Sequence, residues 1–150
     1  MTSLTPRVAL LLFAGLTVLH TWPLASNPAH LSLNQNADAQ QWAWHMSWIA
    51  HALAHAPWSI FDGNIFAPEL RTVAFSDPAV LPALAVVPVR VLGGSAVLAF
   101  NVALFVGLTL TGWATWLAVR RWTGSPGAAL VAGALAAYNP HLLTRLPHIV

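Results

Sequence analysis

Four carboxylates, Asp38, Asp62, Glu69 and Asp77, are the only acids in the chain, and all lie in one stretch between two apolar segments. A positioned carboxylate can take a proton from an attacking hydroxyl or bind a metal ion. Asp38 stands first, in Asn36-Ala37-Asp38, just ahead of a Trp- and His-rich segment. Asp77 precedes Pro78; such a pair either caps a helix or contributes to a site, because Pro is favoured at a first helical position. His51 and His55 are spaced i, i+4 and can turn toward one metal or haem. No Glu lies between them, so the metalloprotease pattern is absent. His45 lies nearer the opposite face.

The elements that must hold these residues are helices in a membrane. Charged residues make up 7% of the 150 and hydrophobic ones 57%, with a mean hydropathy of +0.66; soluble domains carry about 25% charged residues. The net charge of +2 rests on six Arg and no Lys, and no basic run exists that would neutralise nucleic-acid phosphates. Zero Cys excludes a disulfide framework and a zinc-thiolate site.

Three spans are expected, at 8–24, 96–119 and 124–138. The first has 17 apolar residues after Arg7, near the lower limit for crossing a core of about 30 Å. A cleaved signal peptide shares that pattern, with Leu24-Ala25-Ser26 as its small-residue site; the later apolar segments, with His20 and Trp22 at an interface, favour a retained span. The second runs 24 residues without a charge and ends in Arg120-Arg121, where Trp113, Trp116 and Trp122 would form an aromatic belt. The third repeats small residues at helical spacing (Ala128, Ala132, Ala136; Ala129, Gly133, Ala137), which lets helix backbones approach closely. Arg7 and Arg120-Arg121 place these ends in the cytoplasm and the loop 25–95 outside. Asn101, Thr109, Thr111 and Thr115 suit hydrogen bonds between packed helices.

Within the outer loop, a helix is expected from about Ala39 to Ala56, with Asp38 as its cap. Trp42, Met46, Ile49 and Leu53 would share one face, and Trp44, Trp48, His51 and His55 the other. The second face either anchors the helix among headgroups or stacks on a sugar. The apolar stretch 79–92 is short and contains Pro82, Pro88 and Arg90, which fits an interfacial or re-entrant helix.

Several short motifs occur in a familiar order: Asn36-Ala37-Asp38, a Trp-rich juxtamembrane helix, Phe-x-x-Asn-Ile-Phe-x-Pro at 61–68, Asp-Pro-x-x-x-Pro at 77–82, Arg-Arg-x-Thr-Gly at 120–124, and an Ala/Gly-rich helix closed by Asn139-Pro140. The order resembles the N-terminal part of GT-C glycosyltransferases, which span the membrane many times. It is similar to bacterial relatives of protein O-mannosyltransferases and of the aminoarabinose transferase of lipid A. The resemblance implies an all-α enzyme of the bacterial inner or plasma membrane that takes a sugar from a polyprenyl-phosphate carrier on the outer face. It puts Asp38 in the place of the catalytic acid, as general base or as ligand to a divalent metal where one is used. Arg71, Asp77 and Arg145 are then substrate-side candidates, the two Arg for the carrier phosphate. Two departures stand out. The acid is single rather than Asp-x-Asp or Asp-Glu, and three spans are too few to enclose a lipid-linked sugar. The 150 residues are therefore expected to be an N-terminal piece, inactive alone. The competing expectation is a non-enzymatic small membrane protein that associates through its Ala/Gly-rich helix.

Overall fold

A computed structural model describes residues 4–32 and 37–144. It is helical, with no strand among those residues. Six helices follow in order: α1 (Pro6–His20), α2 (Ala37–His55), α3 (Val80–Val91), α4 (Ala96–Thr123), α5 (Pro126–Tyr138) and α6 (Pro140–Thr144). Short 3-10 turns occupy Leu24–Ser26, Pro57–Ser59 and Thr72–Phe75. The helix ends follow local chemistry. Thr5 and Ser125 each accept a hydrogen bond from the amide three residues on, with Pro at the first helical position of α1 and α5. Gly124, at φ 69°, closes α4 through its amide to the Arg120 carbonyl.

The chain divides into two compact units. The first comprises α1, α4 from residue 104 onward, α5 and α6. Phe13 is its wedge. A Cβ on Gly112 would lie 2.5 Å from the Phe13 ring, and one on Gly133 would lie 2.5 Å from the same ring and 2.6 Å from the Gly112 carbonyl. Only glycine lets the three helices meet there. The buried face of α5 is Ala129, Gly133 and Ala137, so this small-residue row packs inside the chain. Beside it, Tyr138 donates to the Phe13 carbonyl at 2.7 Å. That uses its one proton, so Thr17, 3.0 Å away, donates to Tyr138, and Thr109 in turn donates to Thr17. The expected packing role of Thr109 is met; Thr111 bonds instead to its own helix, at the Gly107 carbonyl.

The second unit comprises the described residues 27–103. Here α3 packs along α2 through Ala83 and Val86, while Leu81, Leu84, Val91 and Leu92 are exposed. Asn101 is buried, and its amide holds the carbonyls of Pro28 and Leu31 at 2.7 and 2.8 Å. The segment that approaches α2 is thereby pinned to the first turns of α4.

Of the three expected spans, only α4 is both long and apolar enough to cross a membrane; its 28 residues reach about 42 Å at 1.5 Å each. α1 and α5 have 15 and 13 residues, shorter than the expected segments because Trp22-Pro23 and Ser125-Pro126 set their limits. The Trp cluster near Arg120 also differs from a belt. Trp122 is exposed, but Trp116 is fully buried with the Arg120 guanidinium 4.8 Å above its ring, and Trp113 donates to the Pro6 carbonyl.

Candidate functional site

The second unit carries the acids. Asp38 sits inside the first turn of α2, one residue past the helix start, rather than capping a helix that begins at Ala39. The unpaired amides of a helix N-terminus favour a negative charge there. Beside this turn is a cleft of about 210 Å3 lined by His30, Ser32, Ala39, Gln40, Val97 and Phe100, among others. Its walls are mostly apolar with three polar groups. It is smaller than the roughly 300–1,000 Å3 that encloses a drug-sized ligand.

The face of α2 away from solvent differs from the expected division. Met46 and Ile49 are buried as expected, but Ala39, His45, Ala50 and Ala52 join them. Trp42 and Leu53 are half-buried. Trp44 and Trp48 are half-buried and partly covered by their own chain: Trp48 donates to the Ile60 carbonyl at 3.1 Å, and the Trp44 ring lies against Gly63. That cover is a closed loop. Asp62 accepts from the Arg71 amide at 3.1 Å, and the Val73 amide donates to the Phe61 carbonyl at 3.1 Å.

His45 is the residue that sequence reasoning passed over. It is 2% exposed, and its Nδ1 is buried with no hydrogen-bond partner among the described residues. The rings of Trp42 and Trp44 flank it at 5.6 and 5.1 Å. Burial pushes its pKa below the usual imidazole value, and the negative charge of Asp77 offsets part of that shift. One signal was available: Trp42, His45, Met46 and Ile49 fit the i, i+3, i+4, i+7 spacing of a buried stripe.

Asp77 accepts from the Ala79 amide at 3.0 Å, a turn that leads into α3. Gln41 reaches the neighbouring Ser76 at 3.5 Å. The structure thus brings Asp77 to the N-terminal half of α2, near His45 and within a turn of the segment bearing Asp38. Arg71 does not join them. It is exposed, at φ 58°, and its amide closes the loop onto Asp62. Arg145 and Asn36 lie outside the described residues. His51 and His55 stack at 4.3 Å with their planes 25° apart, and among the described residues no group of three His, Asp or Glu is placed to hold a metal.

Comparison with protein-family models, curated proteins and solved structures finds no match, so the chemistry of this region rests on its own geometry.

Proposed function

We infer that these residues contribute to a membrane glycosyltransferase of the GT-C type, which moves a sugar from a polyprenyl-phosphate carrier to an acceptor on the outer face. The observation that carries this reading is the acid in the first turn of α2, Asp38, whose neighbours Ala39 and Gln40 line a cleft together with His30 and Ser32. Asp38 is exposed there, and an exposed carboxylate that meets an acceptor hydroxyl can take its proton as the hydroxyl attacks. The order of motifs from Asn36 to Pro140 supports the same reading. In this arrangement α4 crosses the bilayer with Arg120-Arg121 in the cytoplasm, α1 and α5 pack against it as short spans, and residues 25–95 face outward. Asp77 sets the field at His45, and Arg71, exposed on the loop apart from Asp38 and Asp77, is the candidate to meet the carrier phosphate.

The test is transfer from a polyprenyl-phosphate sugar by the complete protein in membranes. Asp38→Asn is expected to lower turnover by about a hundredfold or more while membrane insertion is unchanged. Retained turnover would end the assignment of Asp38.

A second reading, a non-enzymatic membrane protein that assembles through α5, draws on the exposure of Val131 and Leu135. Gly133 has an internal partner in Phe13, so Ala132 is the position that separates the readings. Under the second, Ala132→Leu breaks the assembly and Asp38 is dispensable.

A further inference from the structure

We propose that the cleft between α2 and α3 binds the phosphate-monoester headgroup of a membrane lipid. The cleft measures about 80 Å3 and is lined by Ser47, His51 and His55 from α2 and by Arg90 and Val91 from α3. At about 30 Å3 per water that volume is the size of two or three waters, the scale of a phosphoryl group. No carboxylate lines it. Its one permanent charge is the Arg90 guanidinium, which favours an anion and opposes a metal ion.

The groups are held in place. Arg90 donates through Nη1 to the Gly94 carbonyl, and a guanidinium has five N–H donors in a planar fork, so donors remain for an oxyanion. The Nδ1 of His55 lies 2.8 Å from the His51 carbonyl. A carbonyl only accepts, so Nδ1 carries the hydrogen and Nε2 is left for the ligand. The stacked His51 ring holds its plane. Ser47 donates to the Ala43 carbonyl at 2.7 Å and can offer the ligand only lone pairs. A phosphate monoester suits this set because its oxygens take or give a proton near neutrality. Its one remaining proton can be given to the Nε2 lone pair or to the Ser47 oxygen while its other oxygens accept from Arg90, whereas a diester has no such proton to give.

A lipid, rather than free phosphate, is indicated by the rest of α3. Leu81, Leu84, Pro88, Val91 and Leu92 fall on one helical face, and the four aliphatic side chains among them are 51–87% exposed. Arg90 lies on the side of α3 that packs on α2, and Val91, at the edge of the stripe, also lines the cleft, so the acyl chains of a headgroup held there meet the exposed apolar surface at Val91. The site lies apart from the Asp38 cleft and holds under either reading of the protein's function.

Calorimetric titration of the protein in neutral detergent tests the proposal with dioctanoyl phosphatidic acid, dioctanoyl phosphatidylglycerol, dioctanoyl phosphatidylcholine and inorganic phosphate. Phosphatidic acid is expected to bind at least about tenfold more tightly than each of the other three, and Arg90→Gln and His55→Ala should each weaken it by about tenfold. His55 is exposed at the end of α2, so its variant keeps the test valid if Arg90→Gln does not fold. Equal binding of phosphatidylcholine would reduce the site to tail contacts, and equal binding of inorganic phosphate would make it a free-anion site. Unchanged affinity in a folded His55→Ala variant would place the lipid elsewhere. Each of these three results overturns the proposal.

Discussion

At the scale of single residues, His45 ties burial to pH. Its pKa is lowered in the folded state, so the unfolded chain binds the extra proton first as pH falls. Its contribution is therefore fully present above the ordinary imidazole range and declines as pH drops through that range toward the folded value. Thermal unfolding at pH 7.5 and 5.5 should show a lower midpoint at the acid value, and His45→Gln should shrink that difference. Asp77→Asn removes the charge that offsets burial; NMR titration of the His45 ring should then show protonation at still lower pH. The acids were legible in the sequence because they are few and confined to one stretch. His45 was harder to see, since a histidine beside three tryptophans reads as interfacial until its burial is known. The partial cover of Trp44 and Trp48 was not legible for a related reason: the contact comes from residues 60–63, and no helical periodicity reports on a loop folding back.

Elements show where backbone geometry and chemistry separate. Arg71 occupies a left-handed conformation (φ 58°, ψ 33°), which costs a non-glycine residue about 1–2 kcal/mol but suits Asn far better. Arg71→Asn thus removes the guanidinium while keeping the loop: the melting temperature should hold, and, under the proposed function, KM for the carrier-linked sugar should rise. Unchanged KM would leave Arg71 with only its amide bond to Asp62. In the first unit, Gly133→Leu should destabilise the helix packing by about 1–3 kcal/mol or more, and Phe13→Ala in the same chain should recover part of the loss, as read by thermal unfolding in detergent. The small-residue pattern of α5 predicted close packing, but not its partner. That partner, Phe13, lies 120 residues earlier, and repeats in one helix carry no address for another. Helix ends were more legible, because Pro, Ser, Thr and Gly act locally at Thr5-Pro6, Ser125-Pro126 and Gly124.

For the molecule as a whole, orientation is the quantity to measure. The chain has no Cys, so single cysteines report without background. Under the proposed topology, Ser59→Cys should react with a membrane-impermeant maleimide added to intact cells, and Ser125→Cys only after permeabilisation; the reverse order would invert it. Composition and the long apolar run of α4 made a helical chain with one helix of membrane-spanning length legible, whereas the length of α1 was overestimated because apolar character continues past His20 into a turn. The wedge at Phe13 also has a consequence in time. Its two glycines emerge from the ribosome about 100 and 120 residues later, roughly 5–25 seconds at 5–20 residues per second. For that interval α1 lacks both its packing partners and the Tyr138 and Thr109 hydroxyls that meet Thr17. The nascent α1, about 22 Å long, must hold its place by its own apolar surface until α5 arrives.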